Sequence, residues 1–447
     1  MKRKTFLKKA GTVLAGSFIA THLSANPFGI SSAQNKKIRV AMVGTGNRGM
    51  DMWCNPVIKE FGDVLEFVGL CDINEGRVKY FKEATKLTCP TYTDFDKMMQ
   101  ETKPDKLIVT TVDGFHHQYI IKGMEYGADI ISEKPMTTTE AKCQAILDAE
   151  KRTGKKVTVT FNYRYSPHRQ KIYELLREGA IGEIMSVDFH WYLDIHHGAD
   201  YFRRWHRLRE NSGSLLVHKA SHHFDLLNWW IDSDPKTVYG NGSLDFYGKN
   251  GTIRGENCRD CNHKKDCKFY WDITKKKDLF ELYVPNYKYD HYLRDGCVFR
   301  TDTDIFDKMA VQIKYMNNVQ VSYSLTAYSP YEGYRISFNG TKGKLDAWIK
   351  EKQPWEEEPF DVIDVTTSFG KKVTYKLPND ESGHGGGDVR IRKQVFTPGE
   401  DKYRQGAGSR DGAMAVLIGI AARNSIDTGK PVNIADLTTL VPQVQKA

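Results

Sequence analysis

The sequence predicts an α/β protein: a doubly wound parallel sheet comes first, then an α+β region built on a large, open, mixed or antiparallel sheet. Three observations carry this. Between residues 38 and 160, short apolar runs alternate with helical stretches, as a parallel sheet covered by helices requires. A glycine-rich turn directly follows the first run. From Val319 onward the apolar residues alternate singly, the period of half-buried strands.

In chain order, residues 1–33 come first. Lys2, Arg3, Lys4, Lys8 and Lys9 precede a short apolar segment, Ala10 to Ala20, and Ser31-Ser32-Ala33 offers a small-residue cleavage site. This reads as an export signal, too short in its apolar core for a stable membrane anchor. Arg3-Lys4-Thr5-Phe6-Leu7-Lys8 resembles the twin-arginine consensus with Lys4 in place of the second arginine, which points to a periplasmic destination. Removing five cations and no acid lowers the formal charge from +9 to +4 and leaves 414 residues, enough for two domains. Cations and acids are mixed along the remainder without a basic stripe, so no nucleic-acid partner is expected.

The segment Ile38-Arg-Val-Ala-Met-Val43 runs into Gly44-Thr45-Gly46-Asn47-Arg48-Gly49. In a strand-to-helix turn this G-x-G-x-x-G spacing has a mechanism. Gly44 permits the tight turn, Gly46 lets backbone amides approach a pyrophosphate, and Gly49 lets the helix pack close to the sheet. Asn47 and Arg48 open a helix whose N-terminus faces the phosphates. The second run, Leu65 to Leu70, ends at Cys71-Asp72, about 20 positions past the glycines, where a carboxylate bonds a ribose 2′-hydroxyl. Asp72 therefore favours NAD over NADP, and residues 34–160 read as a Rossmann domain. Its further strands are Lys106 to Thr111, Ala128 to Ser132 and Lys156 to Thr160.

With Glu133-Lys134-Pro135 after the fourth run, the chain resembles the Gfo/Idh/MocA oxidoreductases, which act mostly on sugars and cyclitols. The resemblance continues through Thr111-Val112-Asp113-Gly114-Phe115-His116, Asn339-Gly340-Thr341-Lys342-Gly343 and Gly383-His384-Gly385-Gly386-Gly387-Asp388, and so spans the chain beyond its leader. It implies that Thr111, His116 and Glu133 help to hold the cofactor and that Lys134 lies by the nicotinamide and the reacting hydroxyl. Independently, a lysine at the carboxyl edge of a parallel sheet sits where such sheets bind ligands, and desolvation can lower its pKa toward catalytic use. A solvated lysine opening a helix is the plainer alternative.

Residues 161–447 form the expected substrate and oligomerisation domain, with a C-terminal helix packing back on the Rossmann domain. The segment His218-Lys219-Ala220-Ser221-His222-His223-Phe224-Asp225 resembles the family's D-x-G-x-H-x-x-D, with His218 replacing the first aspartate. On one helix, positions 218, 222 and 225 share a face. His222 would act as general acid or base with Asp225 orienting it, while Lys219 would replace part of the acid–base pair that the departure at His218 interrupts, and His218 itself is a further catalytic candidate. Two histidines at i and i+4 are also a metal spacing, but no third ligand is adjacent.

Arg164 and Tyr165, in Phe161-Asn162-Tyr163-Arg164-Tyr165, are candidate contacts for sugar hydroxyls. So are His223, Asp225, and His197 and Trp205 from the aromatic, donor-rich stretch Tyr192 to His206. Tyr331 to Tyr334 reads as a loop between strands Val319 to Thr326 and Arg335 to Phe338. Lys344 to Ile349 and Lys371 to Leu377 continue the sheet, whose free face suits a homo-oligomer contact. His384 among glycines is either a loop closing on substrate or a flexible connector.

Of eight cysteines, Cys258, Cys261, Cys267 and Cys297 fall in an insertion over residues 255–300. The spacing suits a structural zinc site with His263 as alternate ligand, or disulfides, or less readily an Fe–S cluster. Cys54, Cys71, Cys89 and Cys143 read as buried free thiols.

The leading functional reading is an NAD-dependent oxidoreductase for a carbohydrate or cyclitol hydroxyl. Because free NAD is scarce outside the cytoplasm, the cofactor would be tightly held and recycled in place. The alternatives are a glycosidase or lyase that oxidises C3 transiently and eliminates the anomeric substituent, like the family's exported relatives that resemble α-N-acetylgalactosaminidases, and a non-catalytic sugar-binding protein.

Overall fold

The computed structural model describes residues 36–380 and 382–445. The export-signal segment, residues 1–33, lies outside the described residues.

Six parallel strands form the first sheet: β1 (Ile38–Val43), β2 (Leu65–Cys71), β3 (Thr91–Tyr92), β4 (Lys106–Val109), β5 (Asp129–Ser132) and β6 (Val157–Val159). Their order is β3-β2-β1-β4-β5-β6, so the topological switch point falls between β1 and β4. Both faces are covered, which explains why these strands read as unbroken apolar runs. Ala41 and Val43 pack into one core and Val40 and Met42 into another. After the glycine turn the helix widens into a π-turn over Gly49–Cys54 before Asn55–Phe61. Pro56, which has no amide to donate and would clash with the carbonyl four residues back, accounts for the widening.

The second sheet has nine strands: β7 (Ile184–Asp194), β8 (Pro235–Ser243), β9 (Lys308–Tyr315), β10 (Gln320–Ser329), β11 (Glu332–Gly340), β12 (Gly343–Lys352), β13 (Phe360–Thr367), β14 (Lys372–Pro378) and β15 (Val432–Asn433). They are ordered β14-β13-β12-β11-β7-β10-β9-β8-β15. Only the β7–β10 pair is parallel, so the sheet is mixed. Its strands alternate: along β9, Met309, Val311, Ile313 and Tyr315 are buried while Lys308, Ala310, Gln312 and Lys314 face outward. Ile184–Asp194 is a central strand that the aromatic stretch conceals in the sequence, and β11 takes in Glu332 to Tyr334, shortening the expected loop.

The inner face is covered by Ala220–Ile231 and the C-terminal helix Ser409–Thr428. The segment that leads into that last helix pairs with the parallel sheet: Val159 N donates to Ala407 O at 2.9 Å, and Thr158 forms a bridge with Gly408. A single core cluster thus runs from Ala41 through Trp191 to Ile420. No described helix is long and apolar enough to cross a membrane.

Candidate active site

A cavity of about 790 Å³ opens where the carboxyl ends of the parallel strands meet the second sheet. Its floor begins at the glycine turn. Gly44 adopts φ +93°, and a Cβ there would stand 2.6 Å from the Thr110 carbonyl carbon, so no other residue fits. Gly46, Asn47 and Arg48 line the cavity, while Gly49 packs behind the turn. Asp72, at the end of β2, accepts from Thr45 N at 2.8 Å, Thr45 Oγ1 at 3.1 Å, Asn74 N at 2.9 Å and Arg77 at 3.2 Å. This turn and carboxylate fit NAD. Glu133 follows β5 and holds the indole of Trp53 and the guanidinium of Arg48, each at 2.7 Å. His116 lies 2.8 Å from Pro135 O and 3.0 Å from Thr111 O, tying the loop after β4 to the segment that carries Lys134.

Lys134 donates to the carbonyl of His218 at 3.0 Å. Desolvation pulls its pKa down to about 7, Lys219 adding to the effect and the opposite charge of Asp113 opposing it. His218 itself faces Asp113, its Nδ1 2.5 Å from Oδ2. The carboxylate missing from the local motif is therefore supplied by the other domain. Burial pushes Asp113 up and His218 down, so it disfavours charge on both members of the pair. His206, stacked on Trp205 at 3.5 Å, meets the edge of His218 at 4.2 Å. Lys219 donates to Tyr163 Oη at 2.9 Å. The Tyr163 ring lies between His222, stacked at 4.0 Å, and the Arg169 guanidinium at 4.1 Å. Burial holds His206 and His222 well below the usual imidazole range, which makes both neutral at physiological pH. The Nδ1 atoms of both are buried without a protein partner.

A second carboxylate–histidine pair faces the cavity. His197 Nδ1 lies 3.0 Å from Glu332 Oε1, and its Nε2 lies 3.1 Å from Tyr201 Oη. Glu332 Oε2 accepts from Asp194 N at 2.7 Å. Asp194, His197 and Glu332 have ligand atoms within 4.8 Å of one another. Their lone pairs are already engaged: Asp194 caps the amide of His196 at 3.0 Å, and the ammonium groups of Lys352 and Lys219 stand 3.3 and 3.8 Å from the two carboxylates. The group is a neutralised hydrogen-bond cluster. On the far rim, His384 Nδ1 lies 2.9 Å from Asp388 Oδ2, and Asn162 holds the other oxygen at 2.6 Å.

Lys134, His218, Lys219, His222, His197, Trp205 and His384 thus converge on the cavity with Thr111, His116 and Glu133. Arg164, Tyr165, His223 and Asp225 do not. Arg164 and Asp225 form a buried bidentate pair at 2.7 and 2.5 Å, with Asp411 at 3.1 Å, so Asp225 orients Arg164. His223 stacks on Trp191 at 3.8 Å and lies 2.7 Å from Tyr323 Oη. Tyr165 belongs to the core beneath the parallel sheet. The expected single helical face fails because the chain breaks at Lys219, between Leu215–His218 and Ala220–Ile231, and the two histidines serve separate partners instead of one metal.

The geometry lends no support to the zinc and disulfide expectations. All eight cysteines are free thiols, and among the described residues no three ligand atoms from Cys258, Cys261, Cys267 and Cys297 come together. Cys258 instead receives the Arg203 guanidinium at 3.0 Å. Sequence reasoning also missed Glu332 and a whole wall of the cavity, Tyr283, Asp290, Tyr292 and Arg294. Tyr201, Arg204 and His206 stood in the donor-rich stretch without being singled out. Asp113 and Tyr163 stood inside quoted motifs with no signal of their role.

Residues 38–161 match a family described as an oxidoreductase family with an NAD-binding Rossmann fold, and residues 173–434 match its C-terminal alpha/beta domain. The Bacillus subtilis protein YteT, whose name places it among oxidoreductases without a substrate, is 36% identical over 89% of this chain and 98% of its own length. An inositol 2-dehydrogenase/D-chiro-inositol 3-dehydrogenase of Lactiplantibacillus plantarum is 22% identical over 44% of this chain and 53% of its own. The aldose-aldose oxidoreductase of Caulobacter crescentus, solved with glycerol, shares the fold with a TM-score of 0.60 at 16% identity, covering 89% of this chain and 100% of that one.

Proposed function

This chain belongs to the Gfo/Idh/MocA oxidoreductase family, and from that premise we propose that it oxidises a secondary hydroxyl of a carbohydrate or cyclitol with NAD. The observation that carries the reading is Lys134: a lysine with a pKa near 7 on the cavity floor, held between the glycine turn and the Asp113–His218 pair. NAD+, when bound, supplies the hydride acceptor. Neutral Lys134 takes the hydroxyl proton as the carbonyl forms, and the Asp113–His218 pair fixes the carbonyl that orients it. His206 and His222, which line the cavity, hold neighbouring hydroxyls, and the Tyr163–Arg169 stack closes the back of the cavity to water.

The leader over residues 1–33 supports an exported, periplasmic enzyme whose NAD is held tightly and recycled in place. The outward face of the nine-stranded sheet, with its polar residues along β9, is the surface through which a homo-oligomer would form. The test is to assay nicotinamide absorbance with a panel of inositols and free aldoses. Reduction of NAD by one class of polyol supports the reading, and no reduction by any polyol with NAD demonstrably bound overturns it.

A second reading rests on the second pair. With C3 oxidised, the Tyr201 hydroxyl takes the acidified C2 proton as it passes its own proton to His197 Nε2, which Glu332 backs through Nδ1, while a neighbouring acid protonates the departing anomeric oxygen. Water then adds and the ketone is reduced again, so the net reaction is hydrolysis. Multiple turnovers of an aryl glycoside without added NAD would select this reading over simple dehydrogenation.

A further inference from the structure

The strands β8 and β9 are joined by a long insertion, residues 244–307. The Asp307 carboxylate gathers its neck, accepting from Asp245 N at 3.1 Å, Phe246 N at 2.7 Å and Tyr247 N at 3.0 Å. Deeper in, buried Asp295 accepts from Arg259 Nε at 2.7 Å. Carboxylates therefore shape this insertion, and its thiols are left free.

From that base the insertion crosses the cavity and lands on the cofactor half of the molecule. Its helix Lys277–Tyr283 packs on the Rossmann helix Glu75–Thr85. Tyr283 Oη accepts from Asn47 N, an amide of the glycine turn, at 3.0 Å. Asn286 O accepts from Asn74 Nδ2 at 2.9 Å, beside Asp72. A Cβ on Gly76 would stand 1.9 Å from Asn286 Oδ1, so the second helix is fitted against its neighbour at backbone distance. Arg77 bridges the two parts, 3.2 Å from Asp72 and 2.5 Å from Asp290 of the insertion. Further along, Arg294 pairs with Asp200 at 2.8 Å, at the substrate end.

We propose that this insertion is a clasp for the dinucleotide, with Tyr283 and Asp290 as cofactor-binding residues that slow its exchange and select NAD. The contacts fall at the two places where the glycine fingerprint holds a dinucleotide, the pyrophosphate turn and the ribose carboxylate. The Tyr283 hydroxyl accepts from the turn and keeps its own proton to donate to a phosphate oxygen. Asp290 places a second carboxylate beside Asp72 around a single guanidinium, a surrounding that repels a ribose 2′-phosphate and tolerates a 2′-hydroxyl. Release of the cofactor requires these contacts to open. The inference rests on the reading of NAD held and recycled in place, for which it supplies the physical means.

The test is the release of NADH from the full-length protein, followed by stopped-flow fluorescence with excess NAD+ as chase, for the wild type, Tyr283→Phe and Asp290→Asn. Losing one hydrogen bond or charge contact to the bound cofactor should speed release by about tenfold, and Asp290→Asn should narrow the preference for NAD over NADP by a similar factor. Hydrogen exchange of residues 277–294 in wild-type protein should slow when NAD is added. Unchanged release and preference in both variants, or unaltered exchange in that segment, would overturn the clasp. Rapid release from the wild type would contradict recycling in place, while the ratio of variant to wild-type rates would still decide the clasp.

Discussion

Lys134 can serve as a proton acceptor because its surroundings disfavour the ammonium more than Asp113 favours it. A lysine accepts a proton only when neutral, so a pKa near 7 makes oxidation rise with pH through that value and level off above it. The wild-type profile of kcat/KM against pH should show this single rising limb. Asp113→Asn removes the carboxylate that faces His218 Nδ1. Since Lys134 bonds the His218 carbonyl, its orientation depends on that pair. Kcat should fall by roughly 10²-fold with NAD affinity unchanged, the lower end of what a positioned acid–base group contributes, and steady-state kinetics beside fluorescence titration would check both. Lys134 was legible from its place after a buried strand at a sheet edge. The pairing of His218 was not, because Asp113 lies 105 positions away and no local pattern records such a contact.

At the level of elements, the break at Lys219 has an energetic counterpart in the Arg164–Asp225 pair. Asp225 sits on Ala220–Ile231 and Arg164 in the short turn after β6, and both are almost fully buried. Removing Asp225 leaves the buried guanidinium only the partly buried Asp411, 3.1 Å away, and breaking such a buried pair costs up to about 3–5 kcal/mol. Asp225→Asn should therefore lower the unfolding free energy by that amount in a denaturant titration while the position of the pH limb stays put. A displaced limb with unchanged stability would instead place Asp225 in the acid–base machinery. The parallel strands were legible because burial on both faces leaves unbroken apolar runs such as Ile38–Val43. The mixed sheet showed its alternation in β10 to β12 and in β14. Strand β7 escaped because the aromatic residues along it blur a period of two, and helical spacing alone could not reveal that the 218–225 segment is two helices. Within the C-terminal helix, a Cβ on Gly419 would stand 2.2 Å from Leu216 O. This close approach seats the short helix that ends at His218.

On the scale of the whole molecule, the two sheets share one continuous core, from Ala41 and Val109 through Phe161 and Trp191 to Leu417. Domains joined in this way should unfold together, so calorimetry should record one cooperative transition; two resolved transitions would show that the sheets are independent. The same junction makes the site, since the glycine turn, Asp72, Asp113 and Lys134 come from one sheet and His218, His197 and the 244–307 insertion from the other. That division explains why the cofactor half was readable from motifs and the substrate wall was not: Tyr283 meets Asn47 across 236 positions. The role proposed for Lys134 is to receive the substrate proton in an NAD-dependent oxidation. It is tested most directly by single-turnover reduction of bound NAD in Lys134→Met, using whichever polyol the wild type oxidises. Full NAD occupancy with reduction slowed by about 10²-fold or more, and with the limb near pH 7 abolished, is the expected result. Reduction at the wild-type rate with the limb intact would contradict it.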